Sequence, residues 1–132
     1  MRSKRTDITT REHIEKLVDG FYAQVRIDPL LGGVFNGAIG DRWPEHLEKM
    51  YRFWGTVLLN EGSYNGAPFR PHATMPLEQK HFDRWLMLFH ATVSEHFEGL
   101  VADLAHMNAD RMAAMFMSKI TMLRERPDKF IQ

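Results

Sequence analysis

Apolar residues along this chain recur at steps of three and four positions, which places them on one face of an α-helix. The first such run consists of Ile14, Leu17, Val18, Phe21, Tyr22 and Val25. Thr9 and Glu12 have the spacing of a capping box at its start. Asp28-Pro29 ends the run, because a proline disfavours helical geometry in the residue before it. The pattern therefore predicts a helix between Thr9 and Asp28.

Three further runs have the same spacing. After Asp41 or Arg42, with Pro44 in the first turn, the second run consists of Leu47, Met50, Tyr51, Trp54, Val57 and Leu58. After Pro76, the third consists of Phe82, Trp85, Leu86, Phe89, Val93 and Phe97. After a break at Gly99, the fourth consists of Val101, Leu104, Ala105, Asn108, Met112, Met115, Phe116, Ile120 and Leu123. No segment alternates as a strand does, so the pattern predicts an all-α fold with about four long helices.

Two connections differ from the helices in composition. Residues 30–40 are rich in glycine and predict a compact crossing with one short helix. Residues 60–71 contain glycines and prolines typical of a loop. Pro71 and Pro76 then bracket His72 on a stretch with room for one helical turn. Such a short, rigid platform favours a histidine that must be presented as a ligand at one angle.

Composition narrows the possible functions. The chain has 132 residues, so we expect one domain over residues 1–132, with flexible tails at 1–8 and 127–132. Seventeen basic residues balance seventeen acidic ones, which argues against nucleic acid or an anionic membrane as a partner. The absence of cysteine excludes disulfides, thiolate metal sites and covalent cofactor attachment through cysteine. No signal peptide or membrane-spanning run is evident, so we expect a cytoplasmic protein.

Polar side chains on the apolar stripes are the candidates for chemistry. Tyr22 and Trp85 each lie on a stripe, and their hydroxyl and indole N–H groups need partners when buried. His46 shares a helix face with Met50, beside the second stripe. Together with His72, these residues predict a polar cluster inside an aromatic pocket. The many Phe and Met residues suit a flat apolar ligand, but on their own they favour an ordinary helical core slightly more.

A non-haem metal site is one alternative. Glu78 and His81 form a Glu-x-x-His motif, and Asp103 and His106 form a weaker version of it, as in bundles that hold two metal ions. Both histidines lie at the edge of, or off, their apolar faces, which disfavours an inward-facing di-metal centre of Glu78, His81 and His106. A structural helical module without a cofactor is a further alternative.

Several short blocks, in order along the chain, resemble the truncated haemoglobins and, within them, the third group. They are Phe21-Tyr22, the DPLLGGVFNGAIG run at 28–40, Trp43-Pro44-Glu45-His46, Phe53-Trp54-Gly55, residues 61–66, Pro71-His72 and residues 82–89. Each block alone is weak evidence, but the set is specific. The resemblance implies a truncated globin, which is a two-over-two helical sandwich.

The resemblance also implies a cofactor, non-covalent haem b, and a role for each candidate residue. His72 becomes the metal ligand on the proximal side, and Tyr22, His46 and Trp85 match the family's polar positions on the distal, ligand-binding side. The apolar shell would consist of Phe21, Phe35, Met50, Phe53, Phe69, Leu86 and Phe89. Arg70 is a candidate partner for a haem carboxylate, and Trp54 is expected to pack between helices.

The function implied by the resemblance is the binding of dioxygen or another diatomic ligand at a histidine-ligated iron. Hydrogen-bond donors near the ligand predict slow release, which favours redox chemistry with nitric oxide or peroxide over transport. Carbon monoxide is a further expected ligand, and a reductase is an expected partner. A dioxygenase or a peroxidase-like enzyme using the same pocket is the alternative function.

Overall fold

The computed structural model describes residues 5–62 and 77–125. This part of the chain forms five helices: α1 (Arg11–Ile27), α2 (Gly32–Ile39), α3 (Trp43–Leu59), α4 (Gln79–His96) and α5 (Leu100–Glu125). Its extended pairing is limited to one bridge, between Thr6 and Phe97. The prediction of an all-α fold is confirmed, and the glycine-rich crossing contains the short helix α2. None of the described helices is both long enough and apolar enough to cross a membrane.

The cap of α1 differs from the prediction by one residue. Thr10, rather than Thr9, is the N-cap, and its hydroxyl accepts a hydrogen bond from the His13 N–H at 3.2 Å. The ring of His13, rather than the carboxylate of Glu12, closes the box, because its Nδ1 accepts the Thr10 N–H at 3.3 Å. An imidazole nitrogen can therefore take the place of the usual carboxylate in this motif.

The helices form two packed pairs. Helix α1 packs against α3, and α4 packs against α5. The pairs meet mainly where α1 contacts α4, and α2 covers the end of α1. The side chains that are fully buried include Ile14, Leu17, Val18, Val25 and Val93. This is the two-over-two sandwich implied by the resemblance.

Four aromatic rings join the two pairs, and we call them the aromatic column. Phe89 stacks on Trp85 with ring centroids 5.4 Å apart and on Trp54 with centroids 4.9 Å apart. Phe21 meets Trp85 and Phe89 edge-on, at 5.1 Å and 5.2 Å. The column links α1, α3 and α4, and each such ring pair contributes about 0.5–1.5 kcal/mol beyond the burial of its area.

The chain before α1 is packed against the start of α5. Ile8 is fully buried, and the Asp7 carboxylate accepts the Val101 and Ala102 N–H groups at 3.0 Å and 2.8 Å. Gly99 has φ +133°, and a Cβ there would lie 2.5 Å from the Asp7 carboxylate, so only glycine permits this approach. The sequence suggested a flexible tail at residues 1–8. In the structure, Asp7 caps α5 and Ile8 is buried.

A buried ion pair joins the corner between α1 and α2 to α4. The Asp28 carboxylate, 6% exposed, accepts the Leu30 and Leu31 N–H groups at 3.0 Å and the Arg84 Nε–H at 2.6 Å. Burial raises the pKa of Asp28, but the bonds from Leu31, Arg84 and Leu30 outweigh it and hold the pKa below its usual value. Because Trp85 follows Arg84, the pair also fixes the start of the aromatic column.

Two histidines connect α4 and α5 near the surface. His90 Nδ1 lies 2.5 Å from His106 Nδ1, and His90 Nε2 lies 2.8 Å from the Asp110 carboxylate. With both rings neutral, the His106 Nδ1–H donates to His90, and the His90 Nε2–H donates to Asp110. Burial and the neighbouring His90 outweigh Asp103 and Asp110, and they hold the pKa of His106 below its usual value.

Asp28→Asn should lower the free energy of unfolding by about 1–3 kcal/mol, because Arg84 loses its charged acceptor. Since the folded carboxyl has the lower pKa, its contribution is present above the unfolded pKa and is lost as pH falls towards the folded pKa. Urea unfolding of the holoprotein at several acidic pH values would show that loss in the wild type and a smaller one in Asp28→Asn. Asp41→Asn, at an exposed carboxylate, is the control, and equal stability of the two variants would contradict the prediction.

His106→Gln should reduce the loss of stability on mild acidification. A histidine with a depressed folded pKa stabilises the fold fully above its unfolded pKa of 6.5 and loses that contribution as pH falls below it. Unfolding measured between about pH 7.5 and 5.5 should show a shallower pH dependence than in the wild type. His96→Gln is the control for removal of a half-buried histidine elsewhere. If stability in His106→Gln depends on pH as steeply as in the wild type, the His90–His106 pair is not the acid-sensitive contact.

Candidate functional site

A cavity opens between α1, α3, α4 and α5. The space in it that a water-sized sphere can occupy measures about 40 Å³. Its walls are formed by Tyr22, Phe35, Met50, Phe53, Trp54, Leu77, His81, Phe82, Trp85, Met112, Ala113 and Phe116. Most of these side chains are apolar, and polar groups are supplied by one tyrosine, two tryptophans and one histidine. Such a lining suits a large apolar ligand with a few directed hydrogen bonds.

Tyr22 brings a hydroxyl group into this cavity from α1. The residue is 4% exposed, and its ring meets those of Phe21 at 4.9 Å and His46 at 5.1 Å, both edge-on. Burial raises the pKa of Tyr22 well above its usual value, so the phenol keeps its proton. Among the described residues, none forms a hydrogen bond with this hydroxyl. It is therefore a donor available to a ligand in the cavity.

Trp85 brings a second donor from α4. Its ring is half-buried and lies nearly parallel to Phe89 in the aromatic column. Trp85 and Tyr22 both contact Phe21, so the two donors lie on neighbouring parts of the same wall. The indole N–H can only donate, and the described part of the chain contains no acceptor bonded to it.

His46 lies beside Tyr22 rather than in the cavity wall. The half-buried ring is perpendicular to Tyr22 and to Trp43, whose ring centroid is 5.6 Å away. Trp43 is itself fixed, because its Nε1–H donates to Asn36 at 3.0 Å and the Arg26 guanidinium lies 4.6 Å from its ring centroid. Of the three residues predicted on the distal side, Tyr22 and Trp85 line the cavity and His46 packs against Tyr22.

The predicted apolar shell is only partly in the wall. Phe35, Met50 and Phe53 line the cavity. Leu86 instead lines a groove between α4 and α5, because it is turned about 100° around the helix from Trp85. Phe89 and Phe21 are fully buried in the aromatic column, behind the wall. The remaining predicted residues, Phe69, Arg70 and His72, lie outside the described residues.

Several wall residues were not predicted from the sequence as part of the site. Phe82, Met112 and Phe116 belong to the apolar stripes, so periodicity showed that they face inward but not that they face a cavity. Trp54 was expected to pack between helices, and it both stacks on Phe89 and lines the cavity. His81 was placed at the edge of its stripe, yet it is only 6% exposed.

The di-metal alternative receives no support from the described residues. Within residues 5–62 and 77–125, no group of three or more histidine or acidic side chains is placed to hold a metal ion. Glu78 is exposed, whereas His106 is bonded to His90 rather than placed beside His81. The residues present fit a flat apolar cofactor such as haem better, because aromatic and Met side chains form the wall.

Comparison with known proteins identifies the family. The model of the bacterial-like globins matches residues 6–121. The Group 3 truncated hemoglobin ctb of Campylobacter jejuni is 36% identical over 114 residues, which cover 83% of this chain and 90% of that protein. The crystal structure of the group III truncated haemoglobin from Campylobacter jejuni superposes with a TM-score of 0.81 at 34% identity, and the match covers 89% of this chain and 95% of the other.

The fold, the aromatic cavity and these matches agree with one another. The family match extends over α1 to most of α5, so it includes every described residue of the cavity wall. Globins hold haem and bind small ligands at it, and the cavity here fits that use. The chain therefore belongs to the bacterial-like globins and, within them, to the group III truncated haemoglobins.

Proposed function

We propose that the protein holds haem b through His72 and binds dioxygen or another diatomic ligand beside Tyr22, His46 and Trp85. The observation that carries the proposal is the pair of hydrogen-bond donors, Tyr22 and Trp85, in a cavity that is otherwise almost entirely apolar. The role of His72 rests on the resemblance of the Pro71-His72 block to the family. When bound, haem supplies an iron centre that binds diatomic molecules and exchanges electrons.

The chain's own residues would hold the ligand in place. Tyr22 keeps its proton because it is buried, so it donates at any physiological pH. Trp85 donates from the adjacent wall, where stacking on Phe89 fixes its ring. Apolar neighbours such as Phe53 and Met50 exclude water, and a hydrogen bond is stronger where water is excluded. His46 lies beside Tyr22, which suits a second donor or a gate.

Two donors in a dry cavity favour a slowly released ligand. Slow release suits chemistry on the held ligand better than transport, so nitric oxide and peroxide are the proposed co-substrates. Turnover would need an electron donor, for which we propose a reductase partner. Peroxidase-like catalysis in the same cavity is the second candidate, and sustained steady-state turnover with peroxide distinguishes it from ligand binding alone.

His72→Ala should abolish or alter the histidine-ligated haem spectrum. The wild type supplied with haem should show a strong Soret band that shifts when carbon monoxide is added after reduction. An ultraviolet–visible spectrum of each protein before and after dithionite and carbon monoxide makes the comparison. His96→Ala is the control for loss of a half-buried histidine elsewhere. A colourless wild type would contradict the haem proposal, and an unchanged spectrum in His72→Ala would contradict the assigned ligand.

Tyr22→Phe and Trp85→Phe should each speed dioxygen dissociation, because each removes one donor and keeps an aromatic ring. We expect about a tenfold increase for each, equivalent to the loss of a hydrogen bond of about 1.4 kcal/mol. Stopped-flow displacement of dioxygen by carbon monoxide measures this rate. Tyr51→Phe is the matched control, because it removes a tyrosine hydroxyl that bonds Asp19 outside the cavity. Wild-type rates in both cavity variants would remove the proposed role of these donors.

A further inference from the structure

One polar side chain of the cavity wall has no part in the function proposed above. His81 lies in the first turn of α4 and lines the same cavity as Tyr22 and Trp85. It is 6% exposed, which is unusual for a histidine unless a partner satisfies its ring. Its ring is therefore a polar group of the described cavity wall that still needs a role.

In the His81 ring, the hydrogen bond at one nitrogen determines that the proton is on the other nitrogen. His81 Nδ1 accepts the Glu78 backbone N–H at 2.9 Å, so Nδ1 carries no proton. A neutral imidazole then has its proton on Nε2, which points away from the Glu78 backbone across the ring. No described residue accepts a hydrogen bond from this Nε2–H. Since the ring lines the cavity, the unpaired donor is available to a ligand there.

The position of His81 shows which part of a ligand it can reach. Its chain neighbours Glu78, Gln79 and Lys80 are exposed, so this part of the cavity wall lies next to the protein surface. A cation lies on the same part of the wall, because the exposed Arg124 guanidinium donates to the carbonyl of the wall residue Leu77 at 2.5 Å. A donor and a positive charge at the rim together favour an anionic acceptor.

We propose that the His81 Nε2–H donates a hydrogen bond to a carboxylate of the bound haem at the mouth of the cavity. The inference rests on the haem-binding function proposed above. Haem has an apolar ring and two carboxylates, and its carboxylates stay near water because burying a charge is costly. A buried N–H at the rim gains more from a carboxylate than from a neutral acceptor.

Iron ligation by His81 is the competing use of the same ring. A histidine binds a metal through an unprotonated nitrogen, and His81 has none to spare. Its Nδ1 lone pair is engaged by Glu78, and its Nε2 carries the proton. The hydrogen bond on Nδ1 therefore favours donation to the cofactor's periphery over coordination of its iron.

The chain provides a control for the local role of His81. His13 occupies the same position at the start of α1, and its Nδ1 accepts the N-cap Thr10 N–H at 3.3 Å. Unlike His81, His13 does not line the cavity and is half-exposed. Substituting His13 removes a capping bond of the same kind and leaves the cavity wall intact, so it separates capping from a contact with haem.

The test measures haem loss from the holoprotein to an excess of haem-free myoglobin. The proteins are wild type, His81→Leu, His81→Gln and His13→Leu. Each is loaded with haem or with haem dimethyl ester, in which the carboxylates are uncharged and accept more weakly. We expect His81→Leu to speed loss of haem about tenfold and loss of the ester much less. His81→Gln keeps an N–H donor and an acceptor for the cap, so it should restore slow loss, and His13→Leu should match the wild type.

Equal acceleration of haem and ester loss in His81→Leu would overturn the proposal, because it would show a packing or capping effect. A changed spectrum of the reduced carbon monoxide form in His81→Leu would also overturn it in favour of iron ligation. A wild type that takes up neither haem nor its ester would overturn the proposed function itself. These outcomes differ, so failure of the His81 contact is distinguishable from failure of haem binding.

Discussion

The stack of Trp54, Phe89 and Trp85 is the contact on which the rest of the structure depends. It joins α3 to α4, and Phe21 adds α1 through edge-on contacts with two of its rings. The outer rings of the stack, Trp54 and Trp85, are also part of the cavity wall. The same side chains therefore belong to both the core and the site. The contacts that hold the helices together also hold the indole donor of Trp85 in place.

Periodicity predicted the elements well, because the spacing of apolar residues fixes which face of each helix turns inward. It placed Tyr22 and Trp85 on inward faces, and both line the cavity. Periodicity could not show which residues of one broad apolar face line the cavity and which lie beside or behind it. Leu86 and Phe89 were assigned to the cavity together with Trp85, yet one is turned aside and the other lies behind it. The rotation of α4 that decides this depends on tertiary contacts such as Asp28–Arg84.

Residues whose partners are distant in the sequence were the hardest to predict. The sequence places His81 at the edge of its stripe, and only the approach of neighbouring elements buries it. The same is true of Asp7 and Ile8, where composition suggested a loose start. Local rules also have limits, since the spacing predicted a cap of Thr9 and Glu12 for α1, whereas the structure forms it from Thr10 and His13. The resemblance to a known family added the functional roles of individual residues, which cannot be inferred from the spacing of apolar residues.

The hydrogen bonds by which Asp7 caps α5 join two parts of the chain that are distant in the sequence. The carboxylate and the N–H groups that it accepts are 94 and 95 positions apart in the sequence. Closing so long a loop has an entropic cost, and contacts of this separation slow folding. On a ribosome the segment around Ile8 is made before its site at the start of α5. This segment can therefore take its folded position only after α5 has been made.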